Sequence, residues 1–133
     1  VTYVTLEELL EQSDLVSLHC PLTSETKGLI GRERIGRMKK SAVLINAARG
    51  PVVDSQALAD ALNEGRIAGA GVDVFEMEPP VPADHPLLNA KNCLGTPHVA
   101  FASEESMKLR ADIVFDSLDK WLEGGQINTV LPR

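Results

Sequence analysis

Ala42-Val43-Leu44-Ile45 is a continuous apolar run that stops abruptly at Asn46-Ala47-Ala48-Arg49-Gly50, and this stop constrains the chain more than any other stretch. Such a run, bounded by a turn signal, suits a strand buried on both faces, as in a parallel sheet covered by helices. Pro51-Val52-Val53 then leads to Asp54, which can cap a helix beginning near Ser55. Arg49 therefore sits just past the carboxyl end of a buried strand, where open α/β sheets place their ligands. Taken alone, a loop arginine paired with a surface carboxylate is the competing reading.

The flanking sequence alternates in the same way. Thr5-x-x-Glu8 is a capping box for a short helix to about Gln12, and Leu15–Cys20 reads as a largely buried strand closed by Pro21. A polar loop over 23–28 and a short helix from about Arg32 to Met38 lead into the central strand at 42–48. The spacing of Ala57, Leu58, Ala61 and Leu62 predicts a helix over 54–64, with Gly65 in the left-handed position after it. Ile67–Phe75 is a third strand with small residues, Glu76–Pro86 is a proline-rich loop, and Cys93–Thr96 is a short fourth strand. Ser103 caps a long helix to about Leu122, with Met107, Ile113, Val114, Leu118 and Trp121 expected inward, and an extended tail covers 128–133. Alternation of this kind implies an α/β fold with parallel strands and right-handed crossovers.

Composition narrows the function. A chain of 133 residues can bury a single core, and its formal net charge of −6 argues against a nucleic-acid partner. The one basic cluster, Arg32, Arg34, Arg37, Lys39 and Lys40, reads as the solvated face of a short helix. No run reaches the length of a membrane span and no leader opens the chain, so a soluble, cytoplasmic protein without a membrane partner is expected. Cys20 and Cys93 lack metal-ligand or Cys-x-x-Cys spacing, so buried free thiols and no metal are expected. Val1 in place of Met reads as the continuation of something already under way.

Parallel strands share one carboxyl rim, and four polar residues follow strand ends there: Arg49, Asp73, Glu78 and His98. An arginine, two acids and a histidine converging on one edge make a candidate site. Against this, a lone histidine is more often structural and a loop glutamate is usually solvated. Asp73 is harder to dismiss, because carboxylates are rarely buried without a partner. His19, within a strand, and His85, in a proline-rich turn, are assigned to structure.

Leu18-His19-Cys20-Pro21-Leu22-Thr23 with Thr26, Asn46-Ala47-Ala48-Arg49-Gly50, Gly71-Val72-Asp73-Val74-Phe75-x-x-Glu78-Pro79 and Thr96-Pro97-His98 together resemble the D-isomer-specific 2-hydroxyacid dehydrogenases, of the glycerate and phosphoglycerate dehydrogenase type. The resemblance covers essentially the whole chain, with four motifs in order. It implies an oxidoreductase that moves a hydride between NAD, with NADP not excluded, and a small 2-oxo or 2-hydroxy acid. Arg49 would clamp the substrate carboxylate, His98 would give and take the proton, and Glu78, rather than nearby Glu76, would hold the imidazole. Asp73 would hydrogen-bond the nicotinamide carboxamide. Cys20, Pro21 and Thr26 would line the adenosine side, and Ala47, Ala48, Arg49, His98 and Ala100 would also meet the cofactor. The stretch Val99-Ala100-Phe101-Ala102-Ser103 departs from the small, glycine-containing sequence usual there and leaves substrate size open.

No Gly-x-Gly-x-x-Gly run occurs in the chain. The resemblance is therefore to the second half only of a Rossmann-type domain, residues 1–133 being a partial dinucleotide-binding domain with a C-terminal helix at 103–123 and a tail. It implies a homodimer in the full-length parent and a piece inactive alone, whose exposed first strand invites self-association. A dinucleotide-sensing interaction module of corepressor type and an inactive truncated product are the alternative readings.

Overall fold

Two local signals set the start of the chain. Thr5 accepts the Glu8 amide through its hydroxyl while the Glu8 carboxylate returns to the Thr5 amide at 2.9 Å, a reciprocal cap that opens helix α1, Leu6–Gln12. The computed structural model describes residues 1–77 and 80–129, in two compact units divided between Val99 and Ala100. Glu78, with Pro79 and the end of the expected tail at 130–133, lies outside the described residues.

The first unit continues through β1 (Leu15–Leu18), α2 (Arg32–Arg37), β2 (Val43–Asn46), α3 (Ser55–Asn63), β3 (Gly69–Val72) and β4 (Cys93–Gly95). All strand pairs are parallel and the sheet order is β1-β2-β3-β4, so each crossover steps one strand along. A four-stranded parallel sheet with intervening helices is the Rossmann-type α/β arrangement expected. Asp54 caps α3 by accepting the Ala57 amide, and Gly65 follows with φ +65°, a conformation that glycine adopts without steric cost. The α3 face of Ala57, Leu58, Ala61 and Leu62 is buried against Leu44, Ile35, Met38 and Ile67 in one apolar core. Truncating fully buried Leu44 or Leu58 to alanine costs about 2–5 kcal/mol through lost burial and a residual cavity.

Three expectations are corrected. β1 is not largely buried: its residues alternate, with Leu15 62% exposed, because β1 is an edge strand with one covered face. His19 is not inside a strand; it follows β1 exposed, with Nε2 2.8 Å from the Ser17 hydroxyl. Cys20 and Cys93 are free thiols but only half-buried, and burial raises the Cys93 thiol above its ordinary value. The basic cluster is solvated, as expected, and its side chains pair with carboxylates on neighbouring elements. Arg34 and Arg37 pair with Glu7 and Glu11 of α1, Lys39 pairs with Asp14, and Arg32 meets Asp60 of α3. These are exposed contacts, screened by solvent.

The second unit is dominated by α4, Glu104–Leu122, capped by Ser103 as expected. The correction concerns its faces. No residue of α4 is buried, and Met107, Ile113, Val114, Leu118 and Trp121 are 45–63% exposed. Helical periodicity marks which stripe a helix can bury; it does not supply the surface that covers it.

Candidate active site at the carboxyl rim of the sheet

Because the strands are parallel, the residues following Leu18, Asn46, Val72 and Gly95 lie in sheet order along one rim. The turn after β2 is set by Asn46, a polar residue only 2% exposed. Its Nδ2 donates to the Arg49 carbonyl at 3.1 Å and its Oδ1 accepts the Ala48 amide at 3.2 Å. One side chain thus satisfies two backbone groups and shapes the turn that presents Arg49. Arg49 is extended (φ −150°, ψ 141°) and exposed, with Nη1 donating to the Ala48 carbonyl at 2.6 Å. Gly50 follows against the next strand's exit. A Cβ there would lie 2.0 Å from the carbonyl carbon of Phe75, so only glycine lets the two backbones approach.

Asp73, one residue past β3, is 6% exposed. Its amide donates to the Asn46 carbonyl at 2.9 Å, which continues the pairing of β2 with β3. Its Oδ1 accepts the Thr96 hydroxyl at 2.5 Å and the Val99 amide at 2.9 Å. Burying a carboxylate is costly unless donors replace water, and these two do so. Asp73 consequently grips the turn that carries His98. His98 is half-buried and left-handed, with φ 58°. A non-glycine residue in that region costs free energy and persists where its surroundings over-determine it, a pattern concentrated at functional sites. Asp73, Val74, Phe75, Met77, Pro97 and His98 help line a mainly apolar cavity of about 200 Å³.

Of the other expected residues, Cys20 and Ala47 are half-buried, Ala48 is 7% exposed and Pro21 is exposed. Thr26 ties the loop after β1 together, its hydroxyl donating to the Pro21 carbonyl at 2.6 Å and accepting the Thr23 amide at 2.8 Å. Ala100 opens the second unit and Glu78 is not described, so the structure joins neither to this rim. Among the described residues no group of three or more His, Cys, Asp and Glu side chains is placed to hold a metal ion. Among them, too, no helix is long and apolar enough to cross a membrane.

Sequence reasoning passed over three contributors. Asn46 and Thr96 act on the turns that bear Arg49 and His98; each opens a motif quoted above and stands as a polar residue at the end of an apolar strand, but neither was given a role. His85, assigned to a structural turn, is a partner of Glu76, with Nε2 and Oε2 3.0 Å apart. Burial pushes the Glu76 carboxyl up, but hydrogen bonds from Ser55, His85 and its own backbone outweigh this and leave it below the usual carboxylate value.

The chain matches, over residues 1–100, the family described as D-isomer specific 2-hydroxyacid dehydrogenase, NAD binding domain. A hydroxypyruvate reductase of Blautia hydrogenotrophica is 48% identical over 128 residues, which are 96% of this chain and 39% of the relative. A glyoxylate reductase of Korarchaeum cryptofilum is 53% identical over 124 residues, 93% of this chain and 37% of the relative. The NAD-complexed D-isomer specific 2-hydroxyacid dehydrogenase of Lactobacillus delbrueckii ssp. bulgaricus superposes with a TM-score of 0.86 at 36% identity, covering 98% of this chain and 43% of that one. The chain thus spans well under half the length of the relatives it matches. With its motifs in order on a parallel sheet and its first 100 residues matched throughout, the chain belongs to the NAD-binding-domain family of the D-isomer-specific 2-hydroxyacid dehydrogenases.

Proposed function

We propose that this chain supplies the proton-transfer and carboxylate-binding side of an NAD-dependent enzyme interconverting a 2-oxo acid and a D-2-hydroxy acid of the hydroxypyruvate or glyoxylate type. Residues 1–133 are read as the second half of its dinucleotide-binding domain. One observation carries the proposal: His98, held left-handed by a turn bound to buried Asp73, lines the same apolar cavity as that carboxylate at the ligand rim of a parallel sheet.

The residues present fit the nicotinamide end of the cofactor. A flat ring with one amide substituent needs an apolar slot and a polar group at its edge, and the cavity offers both. Bound there, nicotinamide supplies or accepts the hydride. Arg49 holds the substrate carboxylate through a two-pronged, charge-assisted contact and draws electron density from the adjacent carbonyl. His98 protonates the developing alkoxide in reduction and removes the hydroxyl proton in oxidation, with Glu78 favouring the charged imidazole. The relatives named above as hydroxypyruvate and glyoxylate reductases support small substrates of this class.

The test is NADH consumption by the full-length protein with hydroxypyruvate, phosphohydroxypyruvate, glyoxylate and pyruvate, followed by absorbance. Turnover of hydroxypyruvate or glyoxylate is expected, with Arg49→Ala raising KM and lowering kcat. Failure to reduce any of the four would refute the proposal.

A further inference from the structure

The connection between β3 and β4 is fastened at its two ends by contacts outside the proposed chemistry. His85 is buried to 9% side-chain exposure, and its Nδ1 accepts the Leu87 amide at 3.3 Å. The ring proton is thereby assigned to Nε2, the atom 3.0 Å from Glu76 Oε2, so a neutral imidazole already donates to the carboxylate. The imidazole also meets the Phe75 ring edge-on, with centroids 5.2 Å apart and planes at 90°. The Phe75–Glu76 backbone, next to this pair, lies directly against Gly50, the residue after Arg49.

We propose that Glu76 and His85 form a clasp that positions Arg49 for the substrate carboxylate, by pressing the Phe75–Glu76 backbone onto Gly50. They are positioning residues; neither needs to touch substrate or cofactor. The clasp rests on the reading of Arg49 given above. Its physical basis is that a two-pronged contact tolerates little displacement, and that the residue after Arg49 packs directly on the Phe75–Glu76 backbone.

The experiment compares His85→Phe, which keeps a ring but removes donor and acceptor, with His85→Gln, which restores a donor near the Nε2 position. In the full-length protein, His85→Phe is expected to raise KM for the 2-oxo acid roughly tenfold. NADH affinity should stay unchanged, and amide hydrogen exchange over 50–53 and 85–90 should accelerate. His85→Gln should recover most of both effects. Should His85→Phe fail to fold, Glu76→Ala, which removes the acceptor facing His85 Nε2, is expected to shift KM and exchange in the same direction. Unchanged KM and exchange in a folded variant, or no recovery by glutamine, would overturn the clasp. Hydrogen exchange needs no substrate, so it decides the clasp even if the wild-type protein reduces no 2-oxo acid, an outcome that would refute the proposed function instead.

Discussion

Gly50→Ala is the substitution whose effect the structure specifies most sharply. The added Cβ would meet the Phe75 carbonyl carbon at 2.0 Å, its oxygen at 2.1 Å and the Glu76 nitrogen at 2.5 Å. Carbon atoms in contact sit at roughly 3.5–4.0 Å, so the two strand exits must separate by about 1.5 Å or more. All three atoms are backbone, so no rotamer change relieves the clash. Overpacking of this kind costs roughly 1–3 kcal/mol, and a rigid backbone neighbour places this site at the upper end. For a chain of this length 3 kcal/mol lowers Tm by roughly 10 °C. Gly36 provides the control: it lies within α2 with open space around its missing Cβ, so alanine there is expected to stabilise by about 0.5–1 kcal/mol. Thermal and urea unfolding of the two variants beside the parent should show opposite signs. A Gly50→Ala protein as stable as the parent, with unchanged KM for the oxo acid, would refute the close-approach argument.

Three further outcomes are expected. Glu76 is held below the usual carboxylate value, so its contribution to stability is complete above about pH 4.5 and is lost as pH falls through the depressed value. The urea midpoint of Glu76→Gln should therefore depend less on pH between 3 and 6 than that of the parent, and identical slopes would contradict the assignment. The 133 residues expressed alone should self-associate in light scattering, through the β1 edge and Leu15, and Leu15→Lys should reduce this; a monodisperse monomer would count against it. Burial of the Cys93 thiol should let its alkylation rate keep rising above the ordinary thiol range of about pH 8.5, whereas a plateau near that pH would show an unshifted thiol.

The fold was legible because its signals are local. The Thr5–Glu8 box, the Asp54 and Ser103 caps, the left-handed Gly65 and the sharp stop after Ile45 each act within a few residues, and each appears where its chemistry requires. Features that depend on what lies beside an element were not legible. Leu15 and Leu18 are both apolar, yet one is exposed and the other buried, because they lie on opposite faces of β1 and only one face is covered. The apolar stripe of α4 was readable as a stripe while its exposure was not. At the rim, sequence named Arg49, Asp73 and His98, since strand ends carry ligand chemistry. It missed that Asp73 grips the His98 turn and that His85 claims Glu76, because those bonds join residues separated by nine or more positions.

The central claim is that His98 transfers the proton at the rim of this sheet. Its most direct test is His98→Ala in the full-length protein, with NADH affinity from fluorescence titration and kcat for 2-oxo acid reduction measured on the same preparation. Near-parental NADH affinity is expected, with kcat reduced by about 10²–10⁴. Near-parental kcat at intact NADH affinity would contradict it and move the proton donor to another group.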